Sequence, residues 1–170
     1  MKTSKTNAIS KHISYTEATK STQASRLGIP NVPTEKAIEN MKALAENCFE
    51  PLREFHGKPI GITSFFRSKV LNIAVGGAIN SQHNAGVVSG KHEAAIDLDM
   101  DIYDNGMSNA EAFEWLRKNV EFDQLIWEFG TDKNPDWVHI SFNGEENRKR
   151  CLRSRKEGHK TVYNQMTFKD

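Results

Sequence analysis

The feature that most constrains the fold is a long amphipathic pattern between Thr34 and Gly57. Its apolar residues recur at steps of three and four, which is the spacing of one buried helical face. These residues are Ile38, Met41, Leu44, Ala45, Cys48, Leu52 and Phe55. Thr34 can cap the start of the helix, and Gly57 can end it. Pro51 should kink or interrupt the helix, because proline lacks a backbone N–H and crowds the preceding turn.

Four shorter segments are predicted as β-strands, because they are rich in apolar residues and are bounded by turn-forming residues. They are residues 59–66, 94–100, 125–129 and 137–142. Residues 15–32 indicate a short helix and a turn, and residues 75–92 indicate a long loop. Ser108 and Glu111 form a capping box that predicts a further helix. This order of elements predicts an α+β fold, in which helices pack against a small, mostly antiparallel sheet.

The composition is that of one globular domain. The chain has 170 residues and a formal net charge of +1, so no global field attracts nucleic acid or an anionic membrane. Cys48 and Cys151 cannot form a disulfide framework, and no apolar run approaches the roughly 20 residues of a membrane helix. The N-terminus lacks the apolar segment of a secretory signal. We therefore expect a monomer that is made in the cytoplasm and has no nucleic-acid or membrane partner.

The predicted domain occupies residues 12–160. Residues 1–11 are rich in Lys, Ser and Thr and are predicted to form a flexible N-terminus, with residues 161–170 as the C-terminal end. The segment from Asn147 to Lys160 is rich in arginine and lysine. We interpret this segment as a solvated surface, with a polyanion-binding patch as the alternative.

Three residues in the middle of the chain could form a metal site. His83 lies in the predicted loop, Asp97 in the strand that follows it, and His139 in the last predicted strand. Two imidazole nitrogens and one carboxylate oxygen are the ligand set of a catalytic zinc site, which keeps a position open for water. Asp136, three residues before His139, could accept a proton from that water. On spacing alone, hydrogen-bonded histidines beside a turn aspartate explain the pattern equally well.

The same residues lie in motifs that resemble those of the M15 metallopeptidases, the family of D-Ala-D-Ala carboxypeptidases and L-Ala-D-Glu endopeptidases. SQHNAG and AIDLD, followed by DWVHISF, are similar to the family signature S-x-H-x-x-G-x-A-x-D and its W-x-H strand. The longer stretch FDQLIWEFGTDKNPDWVHISF looks like the phage and bacterial branch. The resemblance covers residues 12–155 and implies a fold like that of hedgehog and the D-Ala-D-Ala peptidases.

The resemblance also implies a role for each matched residue of the metal site. His83, Asp97 and His139 would be the ligands of a Zn²⁺ ion. Asp136 would be the general base. Glu128, in the neighbouring strand LIWEF, is the alternative carboxylate for that role.

Three further residues would contact the substrate. Ser81 and Gln82 match the positions beside the first ligand that help to hold it. Arg67, in the segment ITSFFRS, matches an arginine of the family pattern. Its guanidinium could hold a substrate carboxylate in a bidentate manner or stabilise the developing oxyanion.

The chain departs from the family pattern between the first two ligands. Thirteen residues separate His83 from Asp97, whereas the pattern has six, so we infer an insertion of seven residues at 87–93. The inserted segment could form a flap over the cleft. A rival alignment pairs His92 with Asp99, which restores the spacing but loses the flanking matches.

The resemblance implies a zinc-dependent peptidase that hydrolyses the peptide stems of bacterial peptidoglycan, as a carboxypeptidase or an endopeptidase. Such a chain is expected to act on the cell wall as a phage or prophage lysis or virion enzyme. The alternative is a catalytically impaired module that binds zinc and the cell wall, or a phage structural protein, because the insertion has altered the site.

Overall fold

The structure is a computed structural model that describes residues 8–169. Its helices are α1 (Tyr15–Thr19), α2 (Thr22–Leu27), α3 (Glu35–Leu44), α4 (Glu50–His56), α5 (Lys69–Ala74) and α6 (Asn109–Asn119). Its strands are β1 (Gly61–Ser64), β2 (Ala94–Asp99), β3 (Gln124–Glu128), β4 (Trp137–Phe142), β5 (Arg150–Glu157) and β6 (Lys160–Gln165). Among these residues, no helix is both long and apolar enough to span a bilayer.

The strands form one six-stranded sheet in the order β1-β2-β4-β3-β5-β6. Every neighbouring pair is antiparallel except β3 and β5, which are parallel. The α+β fold predicted from the sequence is thus confirmed, with helices packed against a mostly antiparallel sheet. β5 pairs with β3 in parallel although β4 lies between them in the sequence. No local sequence pattern indicates this pairing.

The amphipathic pattern forms one long helical segment from α3 to α4, with a π-helical turn at Ala45–Phe49 between them. Thr34 caps its start by accepting a hydrogen bond from the backbone N–H of Ala37. Pro51 lies in the first turn of α4, directly after the wider turn, so the predicted interruption is confirmed. The wider turn rotates the residues that follow it about the helix axis. Phe55 is therefore 61% exposed and stacks on Trp115 instead of entering the core.

The apolar core lies between the helices and one face of the sheet. Alternate residues of the central strands point to this helical face because side chains in a strand have a period of two. They include Ile96, Leu98, Leu125, Val138 and Ile140, all of which are fully buried. The helices α3 and α6 pack over them. The residues between these positions therefore point to the opposite face of the sheet.

The C-terminal part of the chain differs from the prediction. The segment from Asn147 to Lys160 is largely strand β5 rather than a solvated surface segment, with Cys151, Leu152 and Ser154 buried. The many charged residues of this segment hide the strand pattern in the sequence. Most of them lie at exposed positions of β5, whereas its apolar residues are buried.

Packing also extends past the predicted domain limits. β6 continues to Gln165, and Phe168 lies 6.4 Å from Phe113 between ring centroids. At the other end, Ile9 is buried in the core. The predicted flexible N-terminus lies outside the described residues over positions 1–7, and the part from Ala8 onward belongs to the packed domain.

The inserted segment is held closely against α3. The Asn40 side chain, 4% exposed, donates hydrogen bonds to the carbonyl oxygens of Ala85, just before the segment, and of Lys91 within it. Gly86 has a φ of 80°, and a Cβ there would overlap the carbonyl oxygen of Lys91. Gly86 therefore allows a close approach to Lys91, and the buried Asn40 amide bonds to the loop at Ala85 and at Lys91.

We predict that Asn40→Ala destabilises the fold, because it leaves two carbonyl oxygens without their donor. Urea unfolding should show a loss of about 1–3 kcal/mol in the free energy of unfolding. The matched control is Asn47→Ala, since the exposed Asn47 amide bonds only to the carbonyl oxygen of Ala43 on its own helix. That variant should stay within about 0.5 kcal/mol of the wild type. Equal losses in the two variants would contradict this role of Asn40.

Candidate metal centre

The candidate site lies on the sheet face opposite the helices, in a cleft of about 850 Å³. Strands β2, β3 and β4 form its floor, and the loop that contains the insertion forms one side. Ser89, Lys91 and Glu93 of that loop line the cleft. The predicted flap is therefore a side wall of the site in this structure.

His83, Asp97 and His139 meet in this cleft. The Nε2 atom of His83 lies 3.2 Å from Oδ2 of Asp97, and Nδ1 of His139 lies 2.9 Å from Oδ1 of the same carboxylate. The ligand atoms of the three residues all lie within 4.8 Å of one another. Asp97 and His139 are direct partners in the β2–β4 register, so the sheet itself aligns two of them.

His83 reaches the cluster from a short 3₁₀ turn, Gln82–Asn84. Its Nδ1 atom lies 2.7 Å from the carbonyl oxygen of Phe65, to which an Nδ1–H group donates. In a neutral ring, Nε2 then carries a lone pair, and this lone pair faces a carboxylate oxygen of Asp97. Two acceptors at that distance need a cation or a proton between them. The residues therefore fit a Zn²⁺ ion, which prefers such nitrogen and oxygen ligands.

The electrostatics of the cluster agree with this fit. Burial lowers the pKa of His83, which outweighs the opposing effect of Asp97 and keeps the ring neutral. Burial alone would raise the pKa of Asp97, but His83 and His139 hold it well below its usual range. The cluster thus presents an ionised carboxylate and a neutral imidazole, the protonation states in which both groups bind metals.

The two candidate carboxylates for the general base occupy different environments. Glu128 is 6% exposed, lines the cleft and accepts a hydrogen bond from the Ser154 hydroxyl. Its side chain points to the same face as His139, and burial raises its pKa. Asp136 is exposed at the start of β4 and is not among the residues that line the cleft. This arrangement favours Glu128, the alternative of the sequence analysis, over Asp136.

Arg67 lies beside the metal cluster. Its backbone N–H donates to the carbonyl oxygen of His83, so the two residues are held together. The guanidinium lines the cleft, and its buried Nε atom has no hydrogen-bond partner among the described residues. Burial lowers the pKa of Arg67, and the nearby Asp97 opposes that shift. A half-buried guanidinium whose Nε atom has no partner among the described residues is suited to bind an anionic group of a ligand.

Ser81 and Gln82 also line the cleft, but Gln82 has structural partners. Its amide nitrogen donates to Asp123 at 2.8 Å and to Glu93 at 3.3 Å. Asp123 is fully buried and forms a bidentate ion pair with Arg148. The residue beside His83 is therefore tied to the start of β3, which holds the loop over the sheet.

The rival ligands of the alternative alignment lie elsewhere. His92 is exposed, and its Nδ1 atom lies 2.7 Å from Nζ of Lys36 on α3. Asp99 caps the short 3₁₀ turn that follows β2 by accepting from the N–H of Asp101. Neither residue belongs to the cluster of possible metal ligands. The insertion lengthens the loop without displacing His83 from Asp97.

Comparison with known families decides the relationship. The family model described as Peptidase M15 matches residues 11–141. The chain belongs to the peptidase M15 family. No curated protein shows significant sequence similarity to the chain. The resemblance found in the motifs is thus confirmed, and the chain is a peptidase.

Tyr163 on β6 lines the cleft of this M15 peptidase and is not among the site residues that the sequence indicated. Thr161, Tyr163 and Gln165 lie at every second position, which is the period of side chains on one face of a strand. This spacing is the signal that could have indicated β6. No local signal brings β6 to the site, because this strand reaches the cleft only through its pairing with β5.

We predict that the M15 peptidase loses bound zinc when any one of the clustered residues is removed. His83→Ala, Asp97→Ala and His139→Ala should each lower the zinc content of the purified protein well below one ion per chain, because each removes a ligand atom. Elemental analysis by mass spectrometry measures this content. His92→Ala is the control and should keep the wild-type zinc content. Zinc loss in the control alone would restore the rival alignment.

Proposed function

We propose that this M15 peptidase is zinc-dependent and hydrolyses the peptide stems of bacterial peptidoglycan, as a carboxypeptidase or an endopeptidase. The observation that carries the proposal is the meeting of His83, Asp97 and His139 in one cleft with Arg67, whose Nε atom has no partner among the described residues. Peptidoglycan stems carry free carboxylates close to their peptide bonds, and a cationic group beside a metal cluster suits such substrates.

The residues of the cleft have separate roles in the proposed hydrolysis. A zinc ion held by His83, Asp97 and His139 would supply a Lewis acid that polarises the scissile carbonyl and activates water. Glu128 takes a proton from the attacking water and passes it to the leaving amine. The Ser154 hydroxyl, which donates to Glu128, holds that carboxylate in position. The buried surroundings of Glu128 keep competing water away from it.

Arg67 supplies substrate recognition in this proposal. Its guanidinium offers several parallel N–H donors, which match the two oxygens of a carboxylate. Its backbone N–H bonds to the carbonyl of His83 and its guanidinium lines the same cleft, so a carboxylate bound to Arg67 lies close to the metal cluster. The bond beside a free or side-chain carboxylate of the stem peptide is then the one presented for cleavage.

The likeness of the motifs to the phage and bacterial branch supports a role in lysis of the cell wall by a phage or prophage. The competing hypothesis, a catalytically impaired binding module, requires that the insertion disturb the site. The ligand distances in the cluster argue against that disturbance, since the inserted segment adds to the side of the cleft.

We predict that the purified protein releases new peptide ends from peptidoglycan and that a zinc chelator abolishes the release. Mass spectrometry of the muropeptides, with and without 1,10-phenanthroline, measures this and identifies the bond. Activity should return when zinc is added back in excess of the chelator. Intact muropeptides after digestion with a folded, zinc-loaded protein would favour the binding module.

We predict that Glu128→Gln lowers kcat by about 10²-fold or more, because a general base contributes at least that factor. The amide keeps the shape of the side chain, so zinc content should not change. Asp136→Asn is the matched control and should retain most of the wild-type rate. The reverse pattern, with loss of activity only in Asp136→Asn, would assign the base to Asp136.

A further inference from the structure

We propose that Tyr163 is a catalytic residue of this peptidase, whose phenol hydroxyl donates a hydrogen bond to the oxyanion formed at the scissile carbonyl. The proposal rests on the peptidase function proposed above. It concerns a part of the chain that the family relationship does not reach, because the family match ends at residue 141 and Tyr163 lies on β6. The β5–β6 hairpin would thus complete the active site.

The strand register brings Tyr163 to the correct face of the sheet. Glu128 of β3 is paired with Ser154 of β5, and Ser154 is paired with Tyr163 of β6. Directly paired residues point to the same face, and the hydrogen bond from Ser154 to Glu128 shows which face this is. Tyr163 therefore shares the face of Glu128 and His139.

A small residue separates Tyr163 from the catalytic groups. Ser154 is fully buried and has a short side chain, so it leaves space above it along the row of paired residues. Two strand spacings, about 10 Å, separate the backbone of Tyr163 from that of Glu128. A tyrosine side chain is long enough to cover much of this distance, and Tyr163 lines the same cleft as His83, Asp97 and His139.

The surroundings of the Tyr163 hydroxyl are those of a hydrogen-bond donor without a partner. Burial, followed by the negative charges of Glu128 and Asp97, raises the pKa of Tyr163, and Arg67 opposes the shift. The phenol therefore stays protonated at neutral pH. Among the described residues, its hydroxyl has no hydrogen-bond partner, so its proton is available to a ligand. The residue is 53% exposed, which leaves the cleft open beside it.

The role follows from the charges that develop during hydrolysis. The oxygen of water adds to the carbonyl carbon, the carbonyl π electrons move onto the carbonyl oxygen, and Glu128 takes one proton of the water. Tyr163 donates a hydrogen bond to this oxyanion and keeps its own proton. When the carbon–nitrogen bond breaks, its electron pair goes to the nitrogen, which receives the proton from Glu128. Arg67 remains free to hold the substrate carboxylate.

Kinetic measurements on Tyr163→Phe test the proposal. The variant keeps the ring and removes only the donor, so kcat on purified muropeptides should fall by about 10²-fold, with KM within about twofold and unchanged zinc content. Tyr15→Phe is the matched control, since Tyr15 packs against the apolar core and is not among the residues that line the cleft. This control should retain the wild-type kcat and KM.

Binding of a transition-state analogue separates a catalytic role from a structural one. A phosphinic peptide that replaces the cleaved bond presents a tetrahedral anion, and calorimetry should show about 10²-fold weaker binding to Tyr163→Phe than to the wild type. Binding of the reaction product should not change. An unchanged kcat in Tyr163→Phe, or a raised KM alone, would overturn the inference while leaving the peptidase function intact. Absence of cleavage by the wild type would overturn both.

Discussion

The alternation of side chains in the central strands is the constraint on which the rest of the structure depends. In β2, β3 and β4, one set of residues packs against the helices, and the other set forms the floor of the cleft. Asp97 and His139 are adjacent because their strands pair in register. A shift of one residue would move the core residues to the cleft and the cleft residues Asp97, Glu128 and His139 to the core. The burial of the apolar face therefore also fixes the metal cluster.

The position of His83, the third member of the candidate metal cluster, depends on polar contacts rather than on the sheet. His83 lies in a loop, and the carbonyl of Phe65, the amide of Asn40 and the pair of Gln82 with Asp123 hold that loop in place. Buried polar groups are costly when they lack partners, so each of these contacts favours one conformation of the loop. This explains how a segment rich in glycine and asparagine can present a ligand with a defined orientation.

The insertion in this M15 peptidase is accommodated at the side of the cleft. Asn40 bonds to Ala85 just before it and to Lys91 within it, Glu93 joins it to Gln82, and Lys36 contacts His92. These contacts hold the segment beside α3 and the rim of the site, away from His83, Asp97 and His139. A longer loop adds only slowly to the entropy of closure, so the family geometry can persist with a modified cleft wall.

Much of the fold and of the metal cluster could be predicted from the sequence by itself. It determined the long helix from Thr34, four of the strands and the α+β class, because periodicity and capping motifs are local properties. The grouping of His83, Asp97 and His139 followed from the resemblance to the M15 motifs, since their spacing alone left it open. The sequence did not predict β5 or β6, and it offered Asp136 as the general base with Glu128 as the alternative. Only the tertiary structure decided which carboxylate and which tyrosine share the cleft, because strand order and register bring Glu128 and Tyr163 together from distant parts of the chain.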